Sequence, residues 1–292
     1  MDQGLNIGIL EYDYGAVNVD MLLLESLRGE KCELEMLSAA CDADCLHRRF
    51  RTKLISMAMS GYDRVIVEPS GIFDMDEFFD LIREEPLDRW YEPGSVIAVV
   101  NARLEEEMSE EENFLLASQV ADAGCILLSR YQMASPEEIA STKSHLQQAL
   151  KQIGCSRSLG ENCYIQKDWA ELNDADFRRL MRCEYCLYDY VKLFTGTEDT
   201  SFSSVYFLDQ PFSLEKLQNL LPEIFDNEEL GSVFRVKGFL KDEDIWYQMN
   251  AARDERIVEP IQKAQNVLIV IGTNLQQEKI QSFLEAAYVE YK

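Results

Sequence analysis

Tyr62-Asp63-Arg64-Val65-Ile66-Val67-Glu68-Pro69-Ser70-Gly71-Ile72 is the stretch that decides the fold, because a short apolar run stops there at a carboxylate. Val65 to Val67 are β-branched and uninterrupted, which suits a strand buried on both faces of a parallel sheet. Glu68 then stands at the strand's carboxyl end. Pro69 fixes φ and removes a donor, and Gly71 lets the backbone approach a ligand without a Cβ in the way. From Phe73 the period changes, and Met75, Phe78, Phe79 and Ile82 fall on one helical face with Asp74 placed to cap it. A strand, an acidic loop and a helix are therefore expected.

The chain on either side repeats this pattern. Leu5 to Leu10 is a strand candidate ending at Glu11, followed by Tyr12-Asp13-Tyr14-Gly15. Met21 to Leu27 reads as a helix closed by Gly29, and Glu33 to Leu37 as another strand. Leu46, Phe50, Leu54, Met57 and Ala58 mark the buried face of a helix ending near Gly61. Further along, Val96 to Val100 stops at Asn101, and Gly124 to Leu128 stops at Ser129. Ser135-Pro136-Glu137-Glu138 carries a capping box with proline at the first helical position, which predicts a helix to about Gln152. Strands alternating with helices give a three-layer α/β domain over residues 1–165, whose ligands bind outside the carboxyl ends of the strands. Glu11, Asp13, Glu68, Asn101 and Ser129 are all expected there.

Residues 166–200 are expected to form a helical connector, with Phe177, Leu180 and Met181 at helical spacing. Residues 201–292 make a second, smaller α+β domain with an antiparallel sheet. Its strands are Ser203 to Leu208, Val233 to Leu240 and Val267 to Ile271, and its helix faces are Leu214/Leu217/Leu221/Ile224 and Ile280/Phe283/Leu284/Ala287.

With 292 residues and 47% hydrophobic content the chain is globular, and its net charge of −25 repels a phosphate backbone. Nucleic acid is not an expected partner. No apolar run approaches the roughly 20 residues a bilayer needs, and Met1-Asp2-Gln3-Gly4 does not open like a signal peptide, so a cytoplasmic protein without a membrane partner is expected. Eight cysteines in a chain this long favour free thiols or ligands over a disulfide scaffold. Cys183-x-x-Cys186 is a lone pair in an expected helix and reads as packing. Arg48, Arg49, Arg51, Lys53 and Arg64 read as a solvated basic face, His145 as structural, and Glu105 to Glu112 as a solvated acidic loop.

Several of these segments, in order, resemble the CobW-type family of metal-chaperone GTPases, the CobW/HypB/UreG-like nucleotide-binding domain followed by a CobW C-terminal domain. Gly8 to Asp20 resembles the family's switch segment and places Asp13 and Asp20 at its acidic positions. Val67 to Gly71 resembles its Glu-x-x-Gly segment. Val96 to Ala102 resembles its next strand, with Asn101 where aspartate is usual. Gln119 to Asp122 with Ile126 to Gln132 resembles the helix and base-recognition strand, and Phe234 to Leu240 with Ile269 to Gly272 resembles the C-terminal domain. The resemblance implies Mg²⁺ with GTP at the strand ends. Glu68 would orient the attacking water or the hydrated Mg²⁺, Asp13 and Asp20 would act from the switch side, Gly71 would face the γ-phosphate, Asn101 would bind nucleotide or Mg²⁺, and Ser129, Arg130 and Gln132 would face the base. It also implies a role in metal homeostasis, with a metalloprotein client. A homo-oligomer stays open.

Three departures accompany the resemblance. The family's Gly-x-x-x-x-Gly-Lys-Ser/Thr loop is absent from the sequence, and Met1 falls where the family has already completed that loop, its strand and its helix. The expected fold is therefore a P-loop-GTPase-like parallel sheet lacking its first strand, by upstream truncation or by real loss of the loop. In the base-recognition motif Gln132 replaces aspartate and Arg130 replaces lysine, which leaves guanine preference unassigned. In place of Gly-Cys-x-Cys-Cys the chain offers Cys41, Asp44, Cys45 and His47 as ligands for Zn²⁺ or a similar divalent metal. Alternatively Asp44 caps the helix, Cys45 lies in its first turn and Cys41 is packed. Two functions follow: a nucleotide-dependent metal-homeostasis protein, or a non-catalytic binding or scaffold module that holds a metal or protein partner without hydrolysis.

Overall fold

The computed structural model describes residues 4–13, 19–38, 43–69, 71, 75–104, 108–191, 202–253, 255–261 and 264–288; the side chains at 13, 19–20, 22, 38, 43–46, 77, 111 and 202–203 lie outside the description. The chain forms two compact units: residues 1–46, 62–68 and 196–292 in the first, and 47–61 and 69–195 in the second.

The first unit opens with β1 (Ile7–Asp13), α1 (Val19–Leu24) and β2 (Cys32–Ser38). After α2 (Ala43–Met59), most of which belongs to the second unit, it resumes with β3 (Arg64–Glu68). These strands make a parallel sheet in the order β2-β1-β3, so the two strands that end in glutamate are neighbours. Leu10, Tyr12, Leu34 and Leu37 are buried in it. The expectation that β3 is buried on both faces is not met, since Ile66 is 51% exposed. β3 is an edge strand: β1 pairs with it on one side, and among the described residues no strand pairs on the other.

The second unit contains α3 (Met75–Arg83), β4 (Ile97–Asn101), α4 (Glu110–Asp122), β5 (Cys125–Ser129), α5 (Pro136–Gln152), β6 (Tyr164–Ile165) and α6 (Asp174–Leu180). Its parallel sheet runs β4-β5-β6. One face, with Ala98, Val100, Ile126 and Leu128, packs on α4 and α5 through Ala117, Val120, Leu146 and Leu150. The other carries Cys125, Leu127 and Ile165 against Leu180. Central β5 is thus buried on both sides, as an uninterrupted apolar run requires. The expected single α/β sheet is therefore two three-stranded parallel sheets, with no ladder joining them among the described residues.

Ser135 caps α5 as its sequence dictates, its Oγ accepting from Glu138 N at 3.2 Å while Glu138 Oε2 accepts from Ser135 N at 2.7 Å. A second capping box stands where a loop was expected: Ser109 and Glu112 start α4 from within the acidic run. The connector is less helical than expected. Among its described residues it has one α-helix, α6, and a 3₁₀ turn at Trp169–Glu171, and beyond Arg182 the described backbone is irregular, so Cys183 and Cys186 are not in a helix. Glu184 between them has a φ of 57°.

The C-terminal part of the first unit comprises β7 (Phe202–Leu208), α7 (Leu214–Asp226), β8 (Ser232–Asp242), β9 (Ile245–Ala252), β10 (Glu255–Ile261), β11 (Val267–Thr273) and α8 (Gln277–Leu284). Its five strands form the expected antiparallel sheet, in the order β10-β9-β8-β11-β7. Leu217, Leu221, Ile224, Ile280 and Leu284 cover one face, against Val236, Leu268 and Val270. Strands β9 and β10 were not anticipated from the sequence.

Candidate functional site

Ligands of parallel α/β sheets collect at the carboxyl ends of the strands, and both parallel sheets end in polar residues. In the first, Glu11 and Glu68 occupy the same register position on neighbouring strands, after the pairs Ile9 with Ile66 and Leu10 with Val67. Residues in register on adjacent parallel strands present their side chains on the same face. Two carboxylates are therefore side by side where the apolar runs end. Glu11 is only 3% exposed, whereas Glu68 is exposed. Asp13 follows two residues later, its backbone in register with Ser38. For Asp13 and Asp20 the backbone alone is described, in β1 and α1.

The exposure of Glu68 corrects the expectation of a recessed strand-end acid. An edge position, with no strand beyond it among the described residues, leaves the end of β3 open to solvent. The sequence did point to its neighbour, because the strand run Leu5 to Leu10 likewise stops at a glutamate, Glu11. Such a pair of hard oxygen donors has the chemistry of a Mg²⁺-type site, with the ion keeping part of its water shell.

In the second unit Asn101 and Ser129 end β4 and β5 in register. Asn101 Oδ1 accepts from Arg103 N at 3.0 Å, and the Ser129 hydroxyl donates to Val100 O at 3.4 Å. Arg130 then adopts a left-handed conformation with φ 58°, which turns the chain into a short 3₁₀ segment carrying Gln132 on its surface. Gly71, exposed, accepts through its carbonyl from Gln119 Nε2 at 2.6 Å. Beside Arg130 and the Arg103–Glu138 ion pair at 2.9 Å, this end of the sheet offers amide and hydroxyl groups of the kind that pair with a polar heterocycle's edge.

Of the candidate metal ligands, His47 is half-buried in the first turns of α2; Cys41 lies outside the described residues, and Asp44 and Cys45 are described only as helical backbone. No group of three or more histidine, cysteine, aspartate or glutamate side chains is arranged to hold a metal among the described residues. Cys125 and Cys183 are packing thiols, as burial, the largest influence on each, pushes both upward in pKa and away from the reactive thiolate. His145 is structural, tied through Nε2 to Asn113 Oδ1 at 2.6 Å between α5 and α4. Arg51 of the basic face pairs with Glu84 at 3.3 Å.

One residue escaped the sequence analysis altogether. Arg157 is 4% exposed and donates through Nη1 to Val120 O at 2.7 Å and Ala121 O at 2.8 Å. It satisfies the last carbonyls of α4, a task that nothing in its sequence neighbourhood advertises.

Parallel sheets with helices, joined in one chain to a smaller antiparallel α+β part, have the architecture of the α/β P-loop-GTPase-like class. The family model for the CobW/HypB/UreG nucleotide-binding domain matches residues 1–157, and that for the cobalamin synthesis protein cobW C-terminal domain matches residues 202–288. This chain belongs to the CobW/HypB/UreG family. Among curated proteins no sequence matches it. Among solved structures it is similar to a zinc-bound triple mutant of the YjiA GTPase, at 16% identity and a TM-score of 0.36, covering 99% of this chain and 92% of that one. It is also similar to zinc-bound YjiA GTPase from E. coli, at 15% identity and a TM-score of 0.31, covering 97% and 98%. No helix among the described residues is long and apolar enough to cross a membrane.

Proposed function

We propose that this protein serves cytoplasmic metal homeostasis as a CobW-family metallochaperone that binds Mg²⁺ with GTP at the ends of β1 and β3 and delivers a zinc-like metal to a metalloprotein client. The observation that carries this is the in-register pair Glu11 and Glu68, two carboxylates at the strand ends of a family nucleotide-binding domain. Mg²⁺, when bound, would neutralise phosphate charge, which is most of what phosphoryl transfer asks of a protein. Glu68, the exposed member, would orient water or the hydrated ion, and Glu11, in the dry interior, would fix the strand end beside it. Asp13 and Asp20 are the further carboxylates on the switch side. Gly71, Asn101, Ser129, Arg130 and Gln132 belong to the second unit, and resemblance to the family's nucleotide-binding segments alone makes them candidates for nucleotide contact. Calorimetric titration with Mg²⁺·GTP and Mg²⁺·ATP tests the nucleotide part.

The cargo metal is assigned to Cys41, Asp44, Cys45 and His47, a mixed sulfur, oxygen and nitrogen set that suits Zn²⁺ or a neighbouring divalent ion. Metal content of the protein purified after zinc loading is expected to fall in Cys41→Ser and in His47→Ala, by roughly tenfold or more if each is a direct ligand. Unchanged occupancy in both variants removes these residues from the site.

A second function is favoured by one specific observation: Gln132 stands in the base-reading position. A protein so equipped would hold a metal or a protein partner without hydrolysis. Zinc binding with no heat from either nucleotide selects it.

A further inference from the structure

Met181-Arg182-Cys183-Glu184-Tyr185-Cys186 brings one thioether and two thiols into a short stretch past the end of α6, where the backbone is irregular rather than helical. In a regular strand, residues three apart point to opposite faces. Glu184, at a φ of 57°, breaks that alternation between the two cysteines. The stretch is also fixed in place within the second unit. Val96 N donates to Glu184 O and Cys186 N to Asp122 O, each at 2.9 Å, while Tyr185 bridges Ala123 and sets its ring 5.0 Å from that of Phe79. A backbone held in this way presents its side chains with little left to order.

Sulfur gathers around this stretch. The Cys183 thiol donates to Leu180 O at 3.4 Å and to Val96 O at 3.7 Å, and packs on the cluster that contains buried Cys125. Burial is the largest influence that raises the Cys183 thiol, and Cys186 pushes it further the same way, so the two sulfurs sense each other's charge. Arg179 acts against burial on both Cys125 and Cys183. Met181, Cys183 and Cys186 are each half-buried, neither sealed in the core nor fully bare.

We propose that Cys183 and Cys186 form a two-thiolate binding site for a soft monovalent metal ion, Cu⁺. Thiolate and thioether donors favour Cu⁺, Zn²⁺ and iron–sulfur clusters, and ligand number decides among them. Zn²⁺ and the clusters ask for about four ligands, whereas no three histidine, cysteine, aspartate or glutamate side chains among the described residues are arranged to hold a metal. Cu⁺ is satisfied by two thiolates, with Met181 nearby in sequence as a further soft donor. Binding joins the ion to both sulfurs and releases both thiol protons to water, with no change of oxidation state, so Cys183 packs as a thiol and loses its proton only to the metal. The bis-thiolate complex is left with one net negative charge, which Arg179 offsets. This all-sulfur pair differs in kind from the mixed set at Cys41, Asp44, Cys45 and His47.

Anaerobic titration of the full chain, its thiols kept reduced, with Cu⁺ in competition with the chelator bicinchoninate tests the proposal. The parent is expected to withdraw one equivalent of Cu⁺ from the chelator. Cys186→Ser, which leaves the backbone bond to Asp122 O in place, is expected to hold it roughly a hundredfold less tightly. A second readout needs no variant: one equivalent of Cu⁺ slows alkylation of Cys186 by iodoacetamide, followed by mass spectrometry. The proposal is overturned if the parent takes no copper from the chelator, if Cys186→Ser retains it with the parent's affinity, or if copper leaves the alkylation of Cys186 unchanged while protecting other cysteines.

Discussion

Arg157→Ala is expected to cost the second unit about 3 kcal/mol, read as a lower urea midpoint at unchanged slope. The guanidinium lies in the interior and donates to two carbonyls of the last turn of α4, at 2.7 and 2.8 Å from Val120 O and Ala121 O. Alanine takes the short bond away from both carbonyls, leaving Val120 O only the longer one from Ala123 N at 3.4 Å, and removes a stem whose head also stands 5.8 Å from the ring centroid of Tyr188. Lysine restores one donor at most, so Arg157→Lys should recover only part of the loss. A change under about 1 kcal/mol in the alanine variant would show that water replaces the side chain at no cost.

Gly124→Ala is the second large effect, expected at about 3 kcal/mol or more because the clash is with backbone. A Cβ at residue 124 would stand 2.2 Å from both Cys183 O and Glu184 O, neither of which can swing aside as a side chain would. The junction is held on every side: Val96 N donates to Glu184 O at 2.9 Å, Cys186 N to Asp122 O at 2.9 Å, and Ala123 bridges Tyr185. Accommodating the methyl group therefore means separating residues 183–186 from the start of β5. Hydrogen exchange should accelerate at Val96 and Cys186 in this variant, together with a fall in Tm. Wild-type exchange at those two amides would mean that the segment shifts as a body without breaking its bonds.

Where the sequence was legible, a physical reason made it so. Strands β1, β3, β4 and β5 are uninterrupted apolar runs, and such runs announce parallel strands before any neighbour is known. Ser135-Pro136-Glu137-Glu138 announced α5 because a capping box is a local device, complete within one turn. The same device in Ser109 to Glu112 was obscured by surrounding glutamates, which suggested a loop. Burial is another matter. Val65 to Val67 are as apolar as Ile126 to Leu128, yet β3 is an edge and β5 is central, a difference set by which strands lie alongside. Strands β9 and β10 went unread because Trp246-Tyr247-Gln248 and Glu255 to Ile261 mix polar residues into an antiparallel meander.

The candidate site followed the same division. That Glu11 and Glu68 end their strands could be read from the runs before them. Their common register could not, since it depends on β1 and β3 being neighbours. Arg157 was invisible for a related reason: an arginine looks like surface until the carbonyls it serves are in place.

The measurement that bears most directly on the strand-end carboxylates is calorimetric titration of the purified chain with Mg²⁺·GTP, beside Glu68→Gln and Glu11→Gln. The expected result is saturable, Mg²⁺-dependent heat in the parent, weakened roughly tenfold or more when either glutamate loses its charge. Absence of heat in the parent, or equal affinity in all three proteins, contradicts the assignment of Mg²⁺ and nucleotide to Glu11 and Glu68.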